Sequence, residues 1–243
     1  MNNPREGNLK GKLALITGGS LGIGLAMASA LADEGCDLII CGRDTERLER
    51  ARKKLSAKGA QVSVFTCDVR DADSVRKMFD AVAQKHKNLD VLVNSAGIAH
   101  PMRSTAELSP EEWNDVLATN LTGTFLACQA ALPLMQRGAT IVNILSMSSK
   151  RVFPNLAAYN ASKFGALGFT NTLREDLRGQ GIRVIAALPG STDTPIWDTL
   201  WPEAPREKMM KPETVAGAIV SALKLPPEST VEELAIMPTG GAL

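Results

Sequence analysis

The sequence predicts an α/β fold: a doubly wound parallel sheet of seven strands with helices on both faces. Two observations carry that expectation. Seven short apolar runs with little polar alternation are separated by longer, charged amphipathic segments along the 243 residues. Runs of that kind suit a sheet covered on both sides, and strand–helix repetition gives parallel strands with right-handed crossovers. A chain that is 44% hydrophobic can bury one large core. No linker divides it, so one domain over residues 1–243 is expected.

The first run, "KLALIT", leads directly into "GGSLGIG" and the helical "LAMASALADEG". The second, "DLIICG", is followed by "DTERLERARKKLSAKG", a helix that begins at Asp44 and stops at Gly59. "QVSVFT", "LDVLVN", "ATIVNIL", "IRVIAAL" and "ELAIM" complete the set. The segments "WNDVLATNLTGTFLACQAALPLMQ" and "AYNASKFGALGFTNTLREDL" read as long helices with apolar residues beyond one narrow stripe, so each must bury a second face. Residues 191–212 break the alternation and are rich in Trp, Pro and Met; a connection of that length is either disordered or functional.

Twenty-seven Lys and Arg against 26 Asp and Glu leave a net charge of +1, which gives no reason to expect nucleic acid or an anionic membrane as partner. No apolar run is long enough to span a bilayer, and the opening "MNNPREGNLKGK" is too polar for a secretory signal. Cys36, Cys41, Cys67 and Cys128 form no C-x-x-C pair and have no His at ligand spacing. They read as free thiols, which fits a cytoplasmic protein without a metal.

The glycine turn after the first strand carries the first functional expectation. Gly18, Gly22 and Gly24 let a ligand approach the backbone and let the helix pack closely on the strand. Amides at the helix start can then take a pyrophosphate, so a dinucleotide is expected. At the end of the second strand, where NAD-binding proteins place an acid against the ribose 2′-hydroxyl, stands Gly42, with Arg43 next. A guanidinium suits a 2′-phosphate and would favour NADP over NAD by about 10- to 100-fold.

The only tyrosine, Tyr159, lies four residues before Lys163 in "YNASK", so the two share a helix face. A positive charge about 4 Å from a phenol, at an effective dielectric of about 20, favours phenolate by roughly 4 kcal/mol. That would lower the phenol pKa by about 2–3, making Tyr159 a general acid for reduction and a general base for oxidation. Ser146 ends the fifth strand, where its hydroxyl would bond the substrate oxygen as charge develops.

"TGGSLGIG" from Thr17, "NSAG" from Asn94, "ATNLTG" around Asn120, Ser146, "YNASK" and "PGSTDT" from Pro189 follow one another in the order of the short-chain dehydrogenase/reductase family, which this sequence resembles over about its first 195 residues. The likeness is to the NADP-preferring carbonyl reductase and 3-oxoacyl-carrier-protein reductase branch, with a Rossmann-type domain. It implies that Gly18, Ser20, Leu21, Gly22, Ile23 and Gly24 surround the pyrophosphate and adenosine ribose. It further implies that Asp68 and Val69 hold the adenine, that Asn94, Ala96 and Gly97 line the cofactor groove, and that Pro189, Gly190, Thr192 and Thr194 meet the nicotinamide end. By the same resemblance, Tyr159 and Lys163 also touch the cofactor, Lys163 through the nicotinamide ribose. Asn120 would fix a water linking Lys163 to solvent. Leu21 stands where many NADP-using members have a second basic residue. "IMPTGGAL" lacks the D-G-G ending of the carrier-protein reductases, which argues against that substrate class.

The resemblance implies that residues 191–212 form a substrate lid, so that Met147, Val152, Phe153 and Leu156, with Ile196, Trp197, Leu200, Trp201, Met209 and Met210, would wall an apolar carbonyl or secondary-alcohol substrate; packing against the body or another subunit is the alternative for them. His100, Arg103, Lys150 and Arg151 flank the expected mouth and are either an anion site or a solvated rim. The resemblance implies a homotetramer, with a dimer as the alternative. A non-catalytic NADP-binding sensor or scaffold, and a lyase of the halohydrin-dehalogenase kind, share the fold. The glycine turn and Lys163 argue against the lyase, and the complete Asn120, Ser146, Tyr159 and Lys163 set argues against the scaffold.

Overall fold

The computed structural model describes residues 7–241 and 243. The reading of the amino-terminal stretch as no secretory signal falls largely on residues 1–6, outside the described residues.

Seven strands form one parallel sheet: β1 (Leu13–Thr17), β2 (Asp37–Gly42), β3 (Val62–Thr66), β4 (Val91–Asn94), β5 (Thr140–Ile144), β6 (Arg183–Pro189) and β7 (Glu233–Ile236). Their order is β3-β2-β1-β4-β5-β6-β7. The seven expected strands are all present. The helices are α1 (Gly22–Asp33), α2 (Thr45–Ser56), α3 (Ala72–Lys85), α4 (Pro110–Leu117), α5 (Gly123–Ala131), α6 (Ala157–Arg178), α7 (Trp197–Leu200) and α8 (Pro212–Leu223).

Alternate strand residues feed opposite layers. Ala14, Ile16, Leu38 and Ile40 face Met27 and Leu31 of α1, Leu48 and Leu55 of α2, and Val215 and Ile219 of α8. Leu13, Leu15, Ile39 and Leu92 face Phe79 of α3, Cys128 of α5, and Leu173 and Leu177 of α6. Both faces of the central strands are thereby buried, which is why their sequence shows no polar alternation. The edge strands β3 and β7 are only partly covered.

Side chains set several helix starts. Asp44 accepts from the Arg47 amide at 3.0 Å, and Ser109 forms a reciprocal capping box with Glu112 ahead of Pro110. Such a cap contributes about 1 kcal/mol. The expected long helix from Trp113 is not continuous: a π turn over Ala118–Thr122 separates α4 from α5 and sets Asn120 inward. By contrast α6 runs unbroken for 22 residues.

After β3 the chain crosses back to place β4 on the other side of β1, so the strand order reverses between β1 and β4. A crevice opens beyond the carboxyl ends of strands at such a point. The Thr17 hydroxyl ties its two walls, accepting from the Ser95 and Ala96 amides at 3.1 and 3.2 Å.

Candidate active site

A cavity of about 520 Å³ opens beyond the ends of β1 to β6. Its floor is the glycine turn. Gly18 has φ +64, and a Cβ there would lie 2.8 Å from the Ala96 Cα; a Cβ on Gly24 would lie 2.4 Å from the Gly18 carbonyl oxygen. Side chains at these positions would push β4 and α1 away from β1. Leu21, which precedes α1, offers no side-chain cap, so amides of the first turn remain free to donate to an anion. Gly18, Ser20, Leu21, Gly22 and Ile23 line the cavity. Gly24 does not; its part is the close packing of α1 on the turn.

One end is charged. Arg43, Asp44, Arg47 and Asp68 line it, next to Val69 and Cys67. Arg47 is a second basic group that the sequence reading passed over, although it lies one helical turn after Arg43. Arg70 grips Asp68 from two nitrogens, Nε at 3.0 Å and Nη2 at 2.7 Å from Oδ2. That hydrogen bonding holds the Asp68 carboxyl below its usual range. The same carboxylate thus faces the cavity in a fixed orientation. Proximity to Cys41 draws the Cys67 thiol down, while Cys41 is pushed up by the same pairing and by burial. All four cysteines are free and buried.

At the other end stand Ser146, Tyr159 and Lys163. Ser146 follows β5, accepts from the Ser148 amide at 3.1 Å, and lines the cavity together with the Tyr159 phenol. The Lys163 Nζ lies 5.6 Å from the Tyr159 ring centre and donates to the Ile144 carbonyl at 3.1 Å. Burial pulls Lys163 down to about 8. Burial also raises the Tyr159 phenol above its usual range, with Ser146 pulling weakly the other way. The expected lowering by Lys163 is therefore corrected for this state. The ammonium sits over the ring and on a backbone carbonyl, and the apolar packing of Tyr159 with Phe153, Leu156, Ile196 and Trp197 disfavours phenolate more than the charge favours it.

Asn120 is buried at the π turn and does not line the cavity. Its Oδ1 accepts from the Ile98 amide at 2.8 Å, and its Nδ2 donates to the Ile98 carbonyl at 2.9 Å and to Ser162 Oγ at 3.0 Å. Ser162 in turn donates to the Tyr159 carbonyl at 2.8 Å. Asn120 thus ties the strand-4 loop to the helix that carries Tyr159 and Lys163. A Cβ on Gly97 would lie 3.4 Å from Asn120 Oδ1 and 3.8 Å from Lys163 Nζ, so the bare backbone there keeps the space between the two groups open. Asn94 is also off the cavity: its amide donates to Asn143 at 2.9 Å and to Cys128, behind the sheet. Ser95, Ala96 and Gly97 form that wall instead, and Pro189, Gly190, Thr192 and Thr194 form the wall after β6.

Residues 191–212 are folded. Thr192 pairs with Met210, α7 forms within the segment, and the Trp197 indole donates to the Thr192 carbonyl at 2.8 Å. Arg206 clamps it, reaching Asp193 at 2.7 Å, Asp198 at 2.6 Å and the Thr194 carbonyl at 2.9 Å. Met147, Phe153, Leu156, Ile196, Trp197, Leu200 and Trp201 line the cavity; Val152, Met209 and Met210 do not, and Met102 joins from the β4 loop. The basic rim is largely engaged elsewhere. Arg103 pairs with Glu112 at 3.4 Å, Lys150 pairs with Glu233, and His100 is 2% exposed with its Nδ1 on the Pro101 carbonyl.

Among the described residues no cluster could hold a metal ion, and no helix is long and apolar enough to cross a membrane.

Residues 12–205 match the short chain dehydrogenase family model. The D-threitol dehydrogenase of Mycolicibacterium smegmatis is 37% identical over 224 residues, spanning 87% of this chain and 85% of that one. The 3-oxoacyl-[acyl-carrier-protein] reductase of Thermotoga maritima is 35% identical, spanning 87% and 90%. Among solved structures, an alcohol dehydrogenase of Thermococcus sibiricus complexed with 5-hydroxy-NADP superposes with a TM-score of 0.88 at 32% identity, covering 95% of this chain and 97% of its own.

Proposed function

The chain belongs to the short-chain dehydrogenase family, and on that footing we propose that it is an NADP-dependent oxidoreductase interconverting a carbonyl group and a secondary alcohol, with Tyr159 as the proton-transferring group. One observation carries the reading: the glycine turn and the Ser146–Tyr159–Lys163 group open onto the same cavity.

The uncapped first turn of α1 and the bare Gly18 backbone suit a pyrophosphate. Arg43 and Arg47 suit a 2′-phosphate, and Gly42 offers no acid for an unphosphorylated ribose. Residues 18 to 23, Arg43, Arg47, Asp68 and Val69 would hold the adenosine and phosphates, with Ala96, Gly97, Pro189, Gly190, Thr192 and Thr194 along the remainder. The cofactor supplies the hydride.

The chain supplies positions and protons. Ser146 donates to the substrate oxygen, and the protonated Tyr159 gives its proton to that oxygen during reduction. In the oxidative direction Tyr159 takes the proton back. Lys163, held on the Ile144 carbonyl, supplies positive charge beside the phenol. Asn120 acts at one remove, fixing the loop and the helix that frame Lys163.

Trp113, Phe125 and Phe164 are exposed on α4, α5 and α6, which supports a homotetramer joined through these helices. Four free thiols support a reducing, cytoplasmic setting. The test is a fluorescence titration with NADPH and NADH, followed by ketone reduction. Tight NADPH binding and consumption of NADPH by wild type but not by Tyr159→Phe is the expected result. Equal turnover by the two proteins would overturn the role of Tyr159.

A further inference from the structure

The charges along the cavity are unevenly divided. Arg43, Asp44, Arg47 and Asp68 all lie just beyond the ends of β2 and β3, and among the described residues Lys163 is the one ionisable cation on the reacting end's wall, already donating to the Ile144 carbonyl. The three segments that surround Ser146 and Tyr159 contribute Met102, Phe153, Leu156, Ile196, Trp197 and Leu200, and none of them is charged. Of the two indoles these segments bring to the wall, those of Trp197 and Trp201, the Trp197 N–H is spent on the Thr192 carbonyl.

Those three segments are fastened to one another by backbone. The Met102 amide donates to the Leu200 carbonyl at 3.1 Å, and the Arg103 amide to the Asn155 carbonyl at 3.1 Å. Asn155 takes a left-handed φ of 62 to make that turn. Ala99, Leu156 and Leu200 close into a buried cluster against which Tyr159 and Trp197 pack. The wall is therefore apolar and already assembled. At its rim Met102 is 42% exposed. The basic side chains nearby are drawn off by Glu112 and Glu233, His100 is buried, and Arg151 is outside the cavity wall.

Resting on the proposed oxidoreductase reading, we infer that the substrate is an uncharged apolar ketone, or the matching secondary alcohol, and that carboxylated substrates are rejected. The apolar body of the substrate packs against Phe153, Trp197 and Leu200 while the oxygen meets Ser146 and Tyr159. A carboxylate in the same place would be desolvated without a free cation to pair with, a penalty large enough to dominate selectivity.

The test uses the full chain with NADPH and three probes: a methylated cyclohexanone, the cyclohexanone carboxylate with the same substitution pattern, and acetoacetyl-coenzyme A. The neutral ketone should exceed the carboxylate in kcat/KM by about 30-fold or more. Met102→Arg, at an exposed position that tolerates charge, should narrow that ratio by about 10-fold by giving the carboxylate a partner. Equal or better turnover of the carboxylate, faster turnover of the thioester than of either ketone, or an unchanged ratio in Met102→Arg would each overturn the inference. Tight NADPH binding without turnover of any probe would overturn it while leaving the cofactor assignment in place. Failure to bind NADPH would instead overturn the oxidoreductase reading beneath it.

Discussion

The Lys163 ammonium stands 5.6 Å from the centre of the Tyr159 ring and spends a hydrogen bond on the Ile144 carbonyl. With burial raising the phenol above its usual range, Tyr159 rests as the neutral acid. A resting proton donor suits the reductive direction. Tyr159→Phe keeps the ring and its packing but has no proton to give, so reduction should fall by about 100- to 10,000-fold. NADPH affinity should change little. Steady-state kinetics and a fluorescence titration on the same preparation separate the two effects.

Lys163 makes stability depend on pH. Its pKa falls from 10.5 to about 8 on burial, so between those values the unfolded chain binds more protons than the folded one, and stability rises with pH. Below pH 8 the full cost of burying the charge is present, about 3 kcal/mol by this span; above the unfolded value it is gone. Lys163→Met should lack this rise. Urea unfolding of both proteins at pH 7 and pH 10 measures the difference, and parallel curves would contradict it.

Arg43 and Arg47 line the same end of the cavity, Arg47 also pairing with Asp44 at 3.0 Å. Arg43→Ala should weaken NADPH binding by about 10- to 100-fold and leave NADH binding near its original value. Arg47→Ala should have a smaller effect in the same direction, because Asp44 already satisfies part of its charge. An unchanged NADPH-to-NADH ratio in both variants would remove the basis for NADP preference.

Two glycine substitutions should move stability in opposite directions. Gly24→Ala would bring a Cβ to 2.4 Å from the Gly18 carbonyl, whereas a Cβ on Gly217 in α8 meets nothing within 4 Å. Gly24→Ala should cost about 2 kcal/mol or more and weaken NADPH binding as the turn shifts. Gly217→Ala should raise Tm by about 1–4 °C, since it removes the entropic cost of a helical glycine. Calorimetry with and without NADPH checks both.

The sheet was legible because its strands are apolar on both faces; "DLIICG" coincides with β2 residue for residue. The π turn was not, because "ATNLTG" contains no proline and its pattern continues that of the flanking helices. Asn94 shows what strand periodicity decides: it is in register with Asn143, and both amides point into the layer beneath α5 and α6, away from the cavity. Arg47 was readable from its spacing to Arg43. The Tyr159 phenol was not, since four residues of helix set a face but not which acceptor captures the ammonium. Ile144, nineteen residues before Lys163 in sequence, decides that.

Tyr159 is the chain's only tyrosine. Ionisation of a phenol changes its near-ultraviolet absorption, so in this protein that spectral change belongs to one side chain. The protonation state of the group at the centre of the site can be followed optically in the native enzyme, without labelling and without removing competing tyrosines.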